Sequence, residues 1–272
     1  MDGGKSSKLV GMHLHDSVIV RHQPAPGGYR LLVLEASVLA AVAIPGQFLH
    51  IRVPNLWQAA LRRPFSICRV DGTLIHLLYK TVGAGTDALA RLPVGTSISL
   101  LGPLGNGFPV DTGDRIPVLV GGGYGVAPLL FLATRLPRTG LLFAGGRTSA
   151  DILLKDDFEA LGWEVRLSTE DGSLGVKGRV TDALDAWAST ANATDCELFA
   201  CGPDRMLRAV GDRAAAWGCP AWLSLDKHMG CGVGACLACV QHLRQEDGSV
   251  HKVRVCRDGP VFAAKDIVWG DA

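Results

Sequence analysis

Net charge is almost absent from this chain. Its 272 residues carry 27 lysines and arginines against 26 aspartates and glutamates, a formal +1. That balance gives no electrostatic case for nucleic-acid binding. The local basic pairs, Arg62-Arg63 and Lys252 with Arg254, are too sparse to form a binding stripe. Long hydrophobic runs are also missing, with one exception. Residues 116–134 carry no charge, but a glycine run and two prolines interrupt them, so the expectation is a strand, a tight loop and a helix rather than a membrane span. Internal repeats and low-complexity segments are lacking, and no targeting segment is visible, so the expected location is cytoplasmic. A reducing compartment suits the cysteines at 68, 196, 201 and 219. No Ser/His/Asp set, carboxylate pair or catalytic lysine constellation points to an organic substrate handled by this chain itself. What remains is a core-forming protein, 48% hydrophobic, of a length that suggests about two domains.

What the sequence does have is a cysteine quartet. Cys231, Cys236 and Cys239 stand in Cys-Gly-Val-Gly-Ala-Cys-Leu-Ala-Cys, and Cys256 follows after sixteen intervening residues. C-x4-C-x2-C…C is the spacing of a plant-type [2Fe–2S] site, where four thiolates hold two irons. Gly232 and Gly234 suit a loop that wraps a cluster, because glycine tolerates unusual φ and close backbone approach. Structural zinc usually takes paired C-x2–4-C hooks, and disulfides belong to oxidising compartments. His242 and His251 raise the alternative of a Rieske centre, but with four cysteines at hand they read as strand residues.

Residues 17–101 show short apolar runs at 29–34, 48–53, 66–70, 74–80 and 97–101, punctuated by Pro and Gly. That pattern predicts an antiparallel barrel, with a short helix over 83–92. Beyond residue 113, buried strands at 118–120, 141–144, 164–168 and 197–200 alternate with helices at 128–136, 155–161, 180–188 and 204–217. Such alternation predicts a doubly wound parallel sheet. The expected division is residues 1–112 as a barrel domain, 113–222 as an α/β domain and 223–272 as a cluster-binding segment with hairpin pieces.

Arg63-Pro64-Phe65-Ser66 opens a barrel strand. A guanidinium there can grip a pyrophosphate bidentately, and Ser66 offers a hydroxyl to a flavin ring nitrogen. Alone, the motif reads equally as a strand entry with a surface arginine. Gly83-Ala84-Gly85-Thr86 leads into the short helix, and with Thr86 as its N-cap the free N–H groups would form an anion site. Leu78-Tyr79-Lys80 lies between the two motifs, placing an aromatic ring and a cation within reach of a flavin, although Tyr79 alone reads as barrel packing.

Together with the glycine run these motifs resemble the ferredoxin–NADP reductase superfamily. With a cluster segment after the nucleotide domain, the chain more closely resembles the family of electron transfer subunits of type B dihydroorotate dehydrogenases. The resemblance spans nearly the whole chain and is carried by residues 63–66, 121–128, 231–239 and the tail Val255-Cys256-Arg257-Asp258-Gly259-Pro260-Val261-Phe262. The first dozen residues match nothing in that pattern. Gly121, Gly122, Gly123 and Gly125 sit between a strand and a helix, where backbone N–H groups can meet a nucleotide phosphate. Pro128 stands where the last glycine of G-x-G-x-x-G would fall, which fits the superfamily's own form of the loop. At Glu170 and Asp171, NADP-using relatives often carry arginine. A carboxylate there would repel a 2′-phosphate, so NAD is the expected cofactor, though a solvated Asp-Gly turn explains the pair as well. Cys201-Gly202-Pro203 resembles the superfamily's element beside the nicotinamide.

The resemblance implies [2Fe–2S], FAD and NAD in one relay, fed by a dihydroorotate dehydrogenase catalytic (FMN) subunit in a heterotetramer of two plus two. Docking is expected near residues 229–237 and the C-terminal piece, and the implied setting is pyrimidine biosynthesis. An NAD(P)H-dependent reductase feeding an oxygenase or another ferredoxin-linked enzyme would use the same cofactors in reverse.

Overall fold

The computed structural model describes residues 12–54 and 61–270. The extreme ends of the first and last expected segments lie outside the described residues.

Six antiparallel strands close a barrel: β1 His13–Ala25, β2 Tyr29–Glu35, β3 Phe48–Arg52, β4 Arg63–Asp71, β5 Leu74–Lys80 and β6 Ser97–Leu104, in the order β1-β2-β5-β4-β3-β6. Alternating side chains fill its interior, and Ile19, Leu32, Leu34, Leu49, Ile51, Ile67, Ile75 and Leu77 are all fully buried. Each such side chain contributes about 1.5–3 kcal/mol on leaving water. A break in register between Ile19 and Arg21 bends the long β1 so that it pairs with both β2 and β6.

The second layer system is a seven-stranded sheet. Its strands are β7 Ile116–Gly122, β8 Leu141–Gly146, β9 Glu164–Thr169, β10 Val176–Lys177, β11 Cys196–Cys201, β12 Ala221–Ser224 and a later strand at Val261–Ala263. All neighbours are parallel except the last pair. From β7 the chain winds outward to β8, β9 and β10, then crosses back to β11 on the other side of β7. That reversal opens a crevice at the carboxyl ends of β7 and β11, where open α/β sheets bind ligands.

The charge-free stretch 116–134 forms β7, a single 3-10 turn and the helix Val126–Ala133, every residue of which is buried. This helix lies between barrel strand β4 and the sheet strands β7 and β11, and its Phe131 belongs to the barrel core. Its lack of charge follows from burial on both sides. Among the described residues no helix is long and apolar enough to cross a membrane.

The C-terminal segment adds a hairpin, β13 Val240–Arg244 with β14 Val250–Arg254, then β15 Val261–Ala263 on the edge of the large sheet and β16 Ile267–Val268 beside β13. Here His242 and His251 fall on the hairpin as strand residues, opposite Lys252 and Leu243.

Candidate functional site

Two cavities meet at the junction of barrel and sheet. The first, about 740 Å³, is lined by Arg63, Pro64, Phe65, Ser66, Leu78, Tyr79, Lys80 and Thr86 from the barrel half. Pairing of β4 with β3 and β5 brings these separated motifs together, since Ser66 faces Phe48 and Ile67 faces Leu77 across the ladders. Gly85 serves the site indirectly: a Cβ there would lie 2.2 Å from Arg63 Nε, so its absence lets the guanidinium lie over the turn. Arg63 also donates to the Leu61 carbonyl. Tyr79 is buried, with its ring edge-on to Phe65 at 5.5 Å and its hydroxyl 2.9 Å from His22 Nε2.

Thr86 departs from expectation. The helix runs Ala84–Ala90 with Gly83 as its N-cap, and Thr86 is the third helical residue. Its hydroxyl oxygen accepts the N–H groups of Val82 (2.9 Å) and Gly83 (3.2 Å). A threonine at this position reaches back over the first turn, so it occupies donors that an N-cap reading leaves free.

The second cavity, about 750 Å³, sits in the crevice of the sheet and is lined by Gly122, Gly123, Glu170, Cys201, Gly202 and Pro203. The glycines divide their work. Gly122 and Gly123 form wall, while Gly121 and Gly125 allow close packing. A Cβ on Gly121 would lie 2.4 Å from Val126 Cγ1, and one on Gly125 would lie 2.1 Å from the Cys201 carbonyl oxygen. In the β7–β11 register Gly121 stands directly beside Cys201, which is why the loop and the Cys-Gly-Pro element close on each other. Glu170 faces the cavity, whereas Asp171 turns away to accept the Ser173 N–H (2.9 Å) and hydroxyl (2.7 Å). Of the two carboxylates weighed for cofactor preference, only Glu170 is in position.

Burial pushes the Cys201 thiol up to about 12, and the Asp226 carboxylate adds to the shift. A thiol so held is neutral and suits a wall rather than a nucleophile.

Sequence reasoning missed three cations on this cavity, Arg147, Arg179 and Arg205. Arg147 directly follows β8 and Arg205 lies in the first turn after Cys-Gly-Pro. Their places at the carboxyl edge of the sheet were the available signal.

The two cavities share Tyr124, Cys201, Asp204 and Asp226 as a common wall. Tyr124 donates its hydroxyl to Asp226 (3.1 Å). A second bridge is ionic. Asp151, on the nucleotide side, accepts the Tyr29 hydroxyl at 3.0 Å and pairs with Lys80 of the flavin-side cavity at 3.3 Å. Burial works against that carboxylate, but the donors from Tyr29 and Lys80 prevail and hold its pKa below the ordinary value. Lys80 also lies over the Tyr29 ring, 4.5 Å from its centroid.

The cysteine loop reaches this junction through Met229, which lines the flavin-side cavity. Gly232 and Gly234 adopt φ of +73° and +82°, the left-handed conformation that glycine takes without strain. The turn aims the N–H groups of Ala235 (3.2 Å), Val233 and Cys236 (3.4 Å each) at Cys231 Sγ. Burial opposes ionisation there, yet these donors outweigh it and bring the thiol down to about 6. Backbone donors link the cysteines two by two, the Cys236 N–H pointing at Cys231 Sγ and the Cys256 N–H at Cys239 Sγ, 3.4 Å each. Among the described residues no three such side chains are arranged to hold a single metal ion. Two pairs fit a two-iron cluster, with two thiolates for each iron, better than one tetrahedral zinc.

His50 of β3 lies beneath this loop. It is fully buried, and burial together with the Arg62 guanidinium lowers its pKa to about 4.

Comparison with known proteins agrees with this arrangement. Residues 226–268 match the model of the iron–sulfur cluster binding domain of dihydroorotate dehydrogenase B, and residues 119–212 match the oxidoreductase NAD-binding domain. The chain is 41% identical over 244 residues to the dihydroorotate dehydrogenase B (NAD(+)) electron transfer subunit of Geobacillus kaustophilus, covering 87% of this chain and 91% of that one. It is 40% identical over 260 residues to the subunit of the same name from Shouchella clausii, covering 93% and 96%. Among solved structures, the NADH-dependent reduced ferredoxin-NADP oxidoreductase superposes with a TM-score of 0.82 at 28% identity, covering 93% of this chain and 90% of that one. A ferredoxin NADP+ reductase from Neisseria gonorrhoeae with bound FAD and NADP shares the fold at a TM-score of 0.63 and 16% identity, over 75% and 92% of the two chains.

Proposed function

Because the chain belongs to the family of dihydroorotate dehydrogenase B electron transfer subunits, we propose that it carries electrons from a partner dihydroorotate-oxidising FMN subunit to NAD⁺ in pyrimidine biosynthesis. The observation that carries this reading is the shared wall: a flavin-side cavity opens on one flank to the sheet crevice and on the other to the cysteine loop. When bound, FAD exchanges electrons singly with a [2Fe–2S] cluster and in pairs with a nicotinamide, so it belongs between the two.

The residues divide accordingly. Arg63 supplies a planar fork for the FAD pyrophosphate, with Gly85 giving it room. Ser66 and Tyr79 border the flavin ring, and Lys80 ties that wall to Asp151 across the junction. Gly122 and Gly123 offer backbone to the NAD phosphates, Arg147, Arg179 and Arg205 supply positive charge, and Glu170 stands against a 2′-phosphate. Cys201, Gly202 and Pro203 would form the wall beside a bound nicotinamide. Cys231, Cys236, Cys239 and Cys256 hold the cluster. In domain terms, residues 1–112 take FAD, 113–222 take NAD and 223–272 take the cluster.

A catalytic subunit docks near residues 229–237 in a heterotetramer of two plus two, acting in the cytoplasm. Leu237 supports such a contact, being 62% exposed although apolar and held at φ +58° beside the cysteines. The test is NAD⁺ reduction by dihydroorotate with a purified FMN-type catalytic subunit, with and without this chain purified anaerobically. Stimulation is expected, together with the absorbance of flavin and cluster. No stimulation by a fully loaded chain defeats the proposal.

A further inference from the structure

We propose that His50 donates a ring N–H hydrogen bond to the iron–sulfur cluster, or to a cysteine sulfur holding it, and thereby tunes how readily the cluster takes an electron. The proposal rests on the cluster assignment made above. It starts from an orphan. His50 has no solvent exposure, and neither Nδ1 nor Nε2 makes a well-formed hydrogen bond, the ring leaning only on the Cys231 backbone. A buried polar group left unpaired is destabilising, because it has given up its water without gaining a partner. Such groups are rare enough in folded proteins that each calls for a partner, and an absent ion or cofactor is one of the recognised kinds.

The surroundings say which partner. On one side the ring stands edge-on to Phe48 at 6.3 Å, and Phe48 lines the flavin-side cavity. On the other side is the cysteine loop. A Cβ on Gly232 would lie 2.6 Å from His50 Nδ1 and 3.0 Å from Cε1, so the missing side chain brings the loop backbone onto the imidazole. Gly232 directly follows Cys231, whose sulfur already collects three backbone N–H groups from the same turn. His50 therefore sits between flavin cavity and cluster loop, against the backbone of Cys231 and Gly232, with chain packed around it. A neutral imidazole carries one N–H donor. Hydrogen bonds to cluster and cysteine sulfurs raise the reduction potential, which makes a buried donor here a tuning element.

The experiment uses the anaerobically purified holoprotein, labelled with ¹⁵N at histidine and reduced to its paramagnetic cluster state. Pulsed electron paramagnetic resonance is expected to show a weak ¹⁵N-histidine coupling to the cluster. That coupling should vanish in His50→Gln grown with the same label. In a potentiometric titration, His50→Phe should shift the cluster's one-electron equilibrium about tenfold towards the oxidised form, 59 mV for a single electron. His50→Gln, which keeps an N–H donor, should recover most of that shift. A wild-type cluster without ¹⁵N-histidine coupling overturns the proposal, and that measurement needs no variant to fold. So does an unchanged potential in a His50→Phe protein with full cluster absorbance. A wild-type holoprotein lacking [2Fe–2S] absorbance overturns the cluster assignment as well, and the missing spectrum tells the two failures apart.

Discussion

Replacing Asp151 with alanine removes the acceptor that ties barrel to sheet. Its carboxylate, with a side chain only 11% exposed, takes the hydroxyl of buried Tyr29 at 3.0 Å and the Lys80 ammonium at 3.3 Å. A hydrogen bond to a charged acceptor is worth about 1.5–3 kcal/mol, and a partly exposed ion pair adds about 0.5 kcal/mol. A loss of about 2.5 kcal/mol is expected for Asp151→Ala. Asp151→Asn keeps a carbonyl for Tyr29 and should lose roughly half as much. With a urea slope of about 3 kcal/mol per molar, the alanine variant should unfold about 0.8 M earlier.

Stability is only half of the expectation. Since Lys80 and Asp151 line different cavities, loosening the pair should also misplace the nicotinamide against the flavin. A shift near 1 Å can cost on the order of 100-fold in rate, so flavin reduction by NADH should slow at least tenfold while FAD content stays full. The pH dependence has a definite sign. Donors from Tyr29 and Lys80 hold the folded Asp151 carboxyl below its ordinary pKa. The stabilisation is therefore complete above an unfolded value of about 3.9 and is lost as pH falls through the lower folded value. The gap between wild type and Asp151→Ala should be constant at neutral pH and close only in strong acid. Urea midpoints within 0.2 M of each other at pH 7, with unchanged flavin reduction, would refute the reasoning.

Further outcomes follow from the same contacts. Gly125→Ala places a Cβ 2.1 Å from the Cys201 carbonyl oxygen. Overpacking of this kind costs about 1–3 kcal/mol, so the KM for NADH should rise about tenfold or more with FAD content unchanged. Arg63→Lys keeps the charge but loses the fork. FAD retained after gel filtration should fall, with an affinity loss of about tenfold for one charge-assisted bond of roughly 1.5 kcal/mol. Glu170→Gln removes the carboxylate that lines the dinucleotide cavity along with Arg147, Arg179 and Arg205. The ratio of kcat/KM for NADH over NADPH should drop severalfold, and an unchanged ratio would free Glu170 from any role in cofactor choice.

What could be read from the sequence was what is local in the sequence. Short apolar runs punctuated by Pro and Gly exposed the barrel strands, and the strand–glycine–helix succession at residues 116–134 exposed the nucleotide loop. The cysteine spacing announced its own chemistry. Thr86 misled because a threonine that caps a helix and one that reaches back from its first turn look alike until the backbone is fixed. The bridge that joins the cavities was out of reach for a different reason. Tyr29 and Asp151 lie 122 residues apart, and Lys80 and Asp151 lie 71 apart, so no spacing rule connects them. His50 is the intermediate case: its strand Phe48–Arg52 reads as an apolar run, and the one buried polar residue in it has no visible purpose without Gly232 against the ring. The two cavities hold their shape by these non-local contacts, whereas the motifs that line them come from local sequence. Substitutions in the motifs should therefore remove one cofactor at a time. Substitutions at Asp151 or His50 should leave every cofactor bound in the folded protein while altering the traffic between them.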